Sequence, residues 1–245
     1  MLTVDFDRFP VGPGDRVLDM GCGAGRHAFA LLRRGAHVTA LDMDAAELKD
    51  VAGMFGAMAQ EGEVPAGASA AAVRGTAYAL PFPDATFDHV VCSEVLEHLP
   101  QDSRAMAELA RVLKPGGLMA VTVPRWGPEL VCWALSSDYH EVEGGHIRIY
   151  RGSELQRRLE RAGLEPVEHH HTHALHSPYW WLKCAVGVTD GEHPAVRAYH
   201  RLLVWDMVGA PRLTRLAERL LDPLIGKSLV HYLRKPAVQE CRGAA

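Results

Sequence analysis

A chain of 245 residues is long enough for one α/β domain with an insertion, or for a domain with a small lid, and its 48% apolar content is that of a globular protein. The formal net charge of −4 argues against a nucleic-acid binder relying on bulk positive charge. Cys22, Cys92, Cys132, Cys184 and Cys241 are scattered with no CxxC pair, the first residues lack the basic and apolar run of a signal peptide, and no long apolar stretch predicts a membrane span, so a reducing cytoplasm is expected.

In chain order, strand-like and helix-like segments alternate through the first half, the pattern of βαβ units and a parallel sheet. Arg16–Met20 is a short apolar run entering a glycine loop, residues 27–34 a helix ended by Gly35, and residues 37–41 a strand closed by Asp42. Asp44 is placed to cap a helix running to about Ala59. Strands are expected at 70–74 and Phe87–Ser93, a helix at 103–113, a turn at Lys114-Pro115-Gly116-Gly117 and a fifth strand at 118–123. Residues 124–150 mix aromatics, glycines and histidines and give no assignment. Ser153 is read as the cap of an amphipathic helix, 154–162, and a sixth strand follows over 164–173. Residues 176–224 look helical, broken at Pro178, Pro194, Pro211 and Pro223, before a last strand at 228–233. The expected architecture is an α/β, Rossmann-like, doubly wound and mostly parallel seven-stranded sheet, formed by residues 1–173 and 226–236. Residues 174–225 form a helical insertion, or lid, between the last two strands. Ligands of such sheets bind beyond the carboxyl ends of the strands, the edge this insertion would leave from.

The strongest local signal is VLDMGCGAGRH, residues 17–27. Gly21, Gly23 and Gly25 let the backbone turn tightly and approach a ligand, and the following helix start supplies free N–H donors. Asp42, some twenty residues on, can accept both hydroxyls of a ribose. Taken alone, the loop is equally a tight strand–helix turn without a ligand. A dinucleotide site is disfavoured because Arg26 stands where GxGxxG needs its last glycine. Asp19 is polar where a buried strand prefers an apolar residue; it braces the loop, fixes the amino-acid end of a ligand, or both.

Four segments together resemble the class I S-adenosylmethionine-dependent methyltransferases, in particular the type 11 group that includes ubiquinone and menaquinone biosynthesis methyltransferases. They are VLDMGCGAG (17–25), LDMD (41–44), ALPFPDATFDHVVCSEVLEHL (79–99) and LARVLKPGGLMAVTVP (109–124). The resemblance covers roughly the first half of the chain. It implies S-adenosylmethionine as cofactor, with Gly21, Gly23 and Gly25 along its methionine and ribose, Asp42 on the ribose hydroxyls and Met43 on the adenine. Thr76 and Ala77 would sit at the adenine edge, and Ser93 and Glu94 near the methionine and the substrate. Thr76 departs from the acidic residue usual there; a neutral hydroxyl is the weaker acceptor for the adenine amino group.

Methyl transfer from a sulfonium is an in-line displacement in which the protein positions the nucleophile, excludes water and, for a hydroxyl, removes a proton. His98, just after the fourth strand, is a candidate base or a structural hydrogen-bond partner, and Glu94 and Glu97 are substrate contacts or a solvated first-turn pair. His140 and His146 flank a loop rich in glutamate and glycine. His169, His171 and His173 would alternate onto one strand face, with His173 and His176 near the active-site edge. For these histidines substrate or base work, a divalent metal held through His171-x-His173, and plain structure all remain open; no complete metal-ligand set is legible, and none is assigned. The candidate catalytic set is His98, His140, His146 and His173. Tyr179-Trp180-Trp181 would stack on an acceptor, meet a membrane surface or anchor the lid, and the later helices would make core or dimer contacts.

The expected activity is methylation of oxygen, nitrogen or carbon on a small molecule, a specialised metabolite or quinone-like ring, with no nucleic-acid partner and a homodimer allowed. A non-catalytic cofactor-binding protein and, less favoured, a nucleotide-dependent oxidoreductase are the alternatives.

Overall fold

The computed structural model describes residues 2–142, 144–209 and 211–237; Cys241 lies outside them. Its centre is a seven-stranded sheet of β1 (Arg16–Met20), β2 (His37–Asp42), β3 (Ser69–Arg74), β4 (Phe87–Ser93), β5 (Leu113–Pro124), β6 (Glu165–Thr172) and β7 (Ser228–Arg234). The spatial order is β3-β2-β1-β4-β5-β7-β6. β7 pairs antiparallel with both β5 and β6, and the other pairings are parallel, so β6 runs in the same direction as β1 to β5. The carboxyl ends of β1, β2, β4, β5 and β6 therefore share one edge, which is also where β7 begins.

Alternation along the strands divides the core into two layers. Leu18, Met20, Val90 and Cys92 point to one, packed with α3 (Asp102–Val112) and α5 (Gly152–Arg161). Val17, Val38, Ala40 and Val91 point to the other, packed with α1 (Arg26–Leu32) and α2 (Ala45–Gln60). Asp44 caps α2 as its sequence position predicts, accepting from Ala46 N at 2.7 Å and Glu47 N at 3.3 Å.

Several local expectations are corrected. Lys114-Pro115-Gly116-Gly117 is not a turn preceding β5 but a bulge inside it: Leu113 pairs with Phe87 and Leu118 with His89, so the partner strand spends two steps where β5 spends five. Arg151, not Ser153, occupies the cap position of α5. The unassigned region holds α4 (Trp126–Leu135) and a 3-10 turn, Ser137–Tyr139. Between β6 and β7 lie α6 (His176–Val186), α7 (Pro194–Gly209) and α8 (Arg212–Ile225). Pro194 and Pro211 punctuate these helices, whereas Pro178 sits in the first turn of α6, where its missing N–H costs nothing, and Pro223 lies inside the last turn of α8. α4 packs on α6, α6 on α7 and α8 on β6, at the carboxyl edge of the sheet.

Candidate active site

β1 delivers the chain to Gly21, whose N–H and that of Cys22 donate to Leu41 O at 2.7 and 3.1 Å, tying the loop to the tip of β2. Gly21 adopts φ +71°, and a Cβ there would lie 2.3 Å from Val95 Cγ2. Gly23 N donates to Asp42 Oδ2 at 2.9 Å, while Asp42 Oδ1 accepts from Asp44 N at 3.0 Å. The same carboxylate thus fixes the glycine loop and the start of α2. A cavity of about 290 Å³ opens here, lined by Gly21, Gly23, Asp42, Met43, Ala77, Glu94 and His98, with Met20, Leu41, Val95 and Leu99 as apolar walls.

Four sequence candidates sit around this cavity rather than in its lining. Gly25 begins α1 at φ +79° and leaves room for Phe29, whose Cζ would be 2.6 Å from an added Cβ. Thr76 Oγ1 accepts from Tyr78 N at 3.3 Å. Ser93 Oγ bonds Thr122 Oγ1 at 2.9 Å and Arg26 Nη2 at 3.4 Å. Asp19 is buried with Oδ2 unpartnered, and burial pushes its carboxyl up to about 7 against the lowering effects of the Ala28 backbone and Arg26. An unmatched buried carboxyl below a glycine cradle, with a second carboxylate at its rim and apolar walls for a planar ring, suits a nucleoside that carries an ammonium group.

Across the cavity from the glycines stand His98 and His146, with ring centroids 4.9 Å apart. His98 Nδ1 lies 3.2 Å from Gly145 O, and a carbonyl only accepts, so Nδ1 carries the proton and Nε2 the lone pair. Burial, then His146, lowers the His98 pKa below the usual imidazole value, leaving the ring neutral at pH 7. His146 Nδ1 donates to Glu129 Oε1 at 2.5 Å. Glu129 also accepts from Trp133 Nε1 at 3.3 Å and Tyr139 OH at 3.2 Å. Despite its burial, these bonds, chiefly that from His146, together with the charge of Lys227, hold Glu129 below the usual carboxylate range.

Glu97 corrects the solvated alternative: it is 1% exposed, with both carboxylate oxygens unpartnered. Burial, and secondarily Glu94, pushes its pKa well up. A ligand atom from each of Glu97, His98 and His146 lies within 4.8 Å of the other two, close enough to share a divalent cation. His140 borders this cluster, stacking at 4.1 Å on Trp133, which itself donates to Glu129. β6 ends at Thr172, so His173, at φ +68°, leaves the strand and turns inward beside His176 instead of joining the face shared by His169 and His171. This also removes the His171-x-His173 chelate. Glu129 escaped sequence analysis altogether; a lone carboxylate within the apolar run WGPELVCW was its only signal.

A family described as a methyltransferase domain matches residues 18–121. The ubiquinone biosynthesis O-methyltransferase of Hahella chejuensis is 38% identical over 179 residues, which cover 68% of this chain and 70% of that protein. The Xylella fastidiosa (strain 9a5c) protein of the same name is 36% identical over 62% of this chain, and the match spans 61% of its own length. Among solved structures, that of a putative methyltransferase from Bacillus halodurans superposes with a TM-score of 0.63 at 22% identity, covering 95% of this chain and 97% of the other. At that identity it speaks for the fold alone.

Proposed function

This chain belongs to the class I S-adenosylmethionine-dependent methyltransferases of the type 11 group, and we propose from that premise that it methylates a hydroxyl oxygen on a small, planar, quinone-like acceptor. Bound S-adenosylmethionine supplies a methyl group on a sulfonium, already activated for displacement. The backbone of Gly21 and Gly23 receives its amino-acid and ribose portion, Asp42 accepts from the ribose hydroxyls, Met43 covers the purine and Asp19 takes the ammonium group. The relatives' O-methyltransferase names support oxygen as acceptor atom.

The observation that carries the reading is the paired imidazoles at the mouth of the cofactor cavity. A hydroxyl is a poor nucleophile until its proton leaves, and His98 offers a neutral ring with its lone pair on Nε2. His146, fixed by Glu129, stands beside it to share the proton or orient the acceptor. Helices α6 to α8 then act as a lid, over residues 174–225, that keeps water from the reacting atoms.

A labelled-methyl assay over catechol, hydroquinone, amine and enolate acceptors tests this. Transfer to oxygen acceptors, with kcat falling on the acid side and strongly reduced in His98→Ala, is the expected result. Transfer confined to amines, at a rate indifferent to His98→Ala, would refute it.

The unpartnered Glu97 carboxylate favours a second reading, in which a divalent cation on Glu97, His98 and His146 lowers the pKa of the acceptor hydroxyl. Activity lost to a chelator and restored by a divalent cation selects this reading; full activity after chelation leaves the imidazole base alone.

A further inference from the structure

A second cavity, of about 560 Å³, shares no lining residue with the one that receives the cofactor. It opens where the chain leaves β5, between the starts of α4 and α5 and the strands β6 and β7. Its polar lining is Arg125, Ser153, Gln156, His169, His171 and His231, and no aspartate or glutamate joins them. Trp126, Pro128, Leu224 and Leu229 form an apolar wall. A cavity that gathers an arginine and three imidazoles and admits no acid selects negative charge.

Strand geometry puts the three imidazoles on one face. His169 and His171 are two apart on β6, and His231 of β7 pairs directly with His169. The His169 ring centroid is 5.6 Å from that of His231 and 6.4 Å from that of His171. His231 is 3% exposed and its Nε2 has no partner, a costly state unless a ligand meets it. Burial, then His169 and His171, lowers its pKa to about 4 against the opposing effect of the Gly152 backbone. Burial, then Arg125, likewise lowers His171 to about 4. Gly152 is the first residue of α5, a ten-residue helix with no side-chain cap. The earliest bond of its first turn runs from Glu154 N to Arg151 O at 2.9 Å, after the N–H groups of Gly152 and Ser153. Arg125 faces them from the end of β5. It donates to Asp222 O at 3.2 Å and Pro223 O at 2.9 Å, which leaves the rest of its guanidinium fork for a ligand, and burial is what lowers its pKa.

We propose that this cavity binds a phosphate group, free or as the monoester of a small soluble molecule, with Arg125 and the first amides of α5 on its oxygens and His171 and His231 closing on it from the strands. The bound charge lets these two rings keep protons that burial otherwise expels, so the anion enters with proton uptake from water. Arg125 to Pro128 lead straight into Glu129, which fixes His146, so the bound anion also steadies the start of the helix that carries Glu129.

The test is calorimetric titration of the full chain with sodium phosphate, with and without S-adenosylmethionine, alongside glycerol phosphate and sodium chloride at matched ionic strength. Saturable phosphate binding is expected, falling by about tenfold or more in Arg125→Gln and in His231→Leu while S-adenosylmethionine affinity stays within a few-fold of the parent. His169→Gln/His171→Gln, at less buried positions, should also weaken phosphate and serves where His231→Leu does not fold. Tighter binding of glycerol phosphate assigns the site to an ester and tighter binding of phosphate to the free ion, and either supports the proposal. Sulfate, whose charge is constant near neutral pH, should bind several-fold more tightly as pH falls from about 7.5 to about 5.5. Failure of phosphate to saturate, heats no different from those of chloride, a sulfate affinity indifferent to pH, or affinities unchanged in the arginine and histidine variants would each overturn the proposal. So would displacement of phosphate by S-adenosylmethionine, since the anion would then lie in the cofactor cavity. Phosphate binding by a chain that does not bind S-adenosylmethionine would leave this proposal standing and remove the one before it.

Discussion

The glycine-loop side of the molecule and the side built from residues after β5 handle buried polar groups differently. On the first, Asp42 closes hydrogen bonds to Gly23 N and Asp44 N, Leu41 O holds two loop amides, and Asp44 caps α2. Asp19, His89 and Glu97 are the exceptions before β5, and Asp19 lies where the ammonium group of the cofactor is expected. On the second, Asp206, Glu218, His173, His176 and His231 each keep a buried atom without a partner, and the leucines of α8 face outward. In the proposed function the first region holds the cofactor and the second covers the acceptor.

The widest separation between the two should come from His98→Ala. It removes the group assigned to proton transfer while leaving the glycine cradle, so kcat should fall by about 10³-fold with cofactor affinity within a few-fold of the parent. Equal losses in kcat and in cofactor affinity would collapse the distinction. Gly21→Val acts from the other side: the strained φ and the overlap with Val95 should weaken S-adenosylmethionine binding by about 10²-fold or more in calorimetry. Asp42→Ala, which strips two backbone bonds and the ribose acceptor, should cost about 30-fold in affinity, equivalent to about 2 kcal/mol.

Much of this division is legible in the amino-acid order. β1, β4 and the Asp44 cap are local features, set by apolar runs and by a side chain reaching its own helix start, and they stand where the residues place them. The glycines and Asp42 converge because they occupy adjacent strand ends in a parallel sheet. The bulge at Lys114–Gly117 is not legible because the same residues make a turn or a bulge according to the partner strand. Glu129 and His146 meet through a loop and a helix with no shared periodicity, and only tertiary packing brings the carboxylate to the ring. His173 fails for a local reason: strand alternation holds only while the strand lasts, and its positive φ ends it.

Two smaller effects sharpen the comparison through pH. Asp19 in the free protein titrates at about 7. Its ionised form holds the ammonium group, so affinity for S-adenosylmethionine should rise by about tenfold between pH 6 and pH 8, and Asp19→Asn should abolish that slope in calorimetry. In the insertion, burial and Asp206 raise Glu218 from 4.5 to about 7. The folded state keeps a proton that the unfolded chain releases across this window, so Glu218 lowers stability as pH rises from 4.5 through 7. Glu218→Gln should accordingly raise Tm at pH 8 by a few degrees and leave it nearly unchanged at pH 4.

Calorimetric titration of the folded, cofactor-free chain with S-adenosylmethionine, repeated with S-adenosylhomocysteine and with NADH, tests the central claim most directly. Saturable binding of both sulfur compounds, weakened in Asp42→Ala and absent for NADH, is the predicted result; a folded protein that binds neither sulfur compound, or that binds NADH in their place, would contradict it.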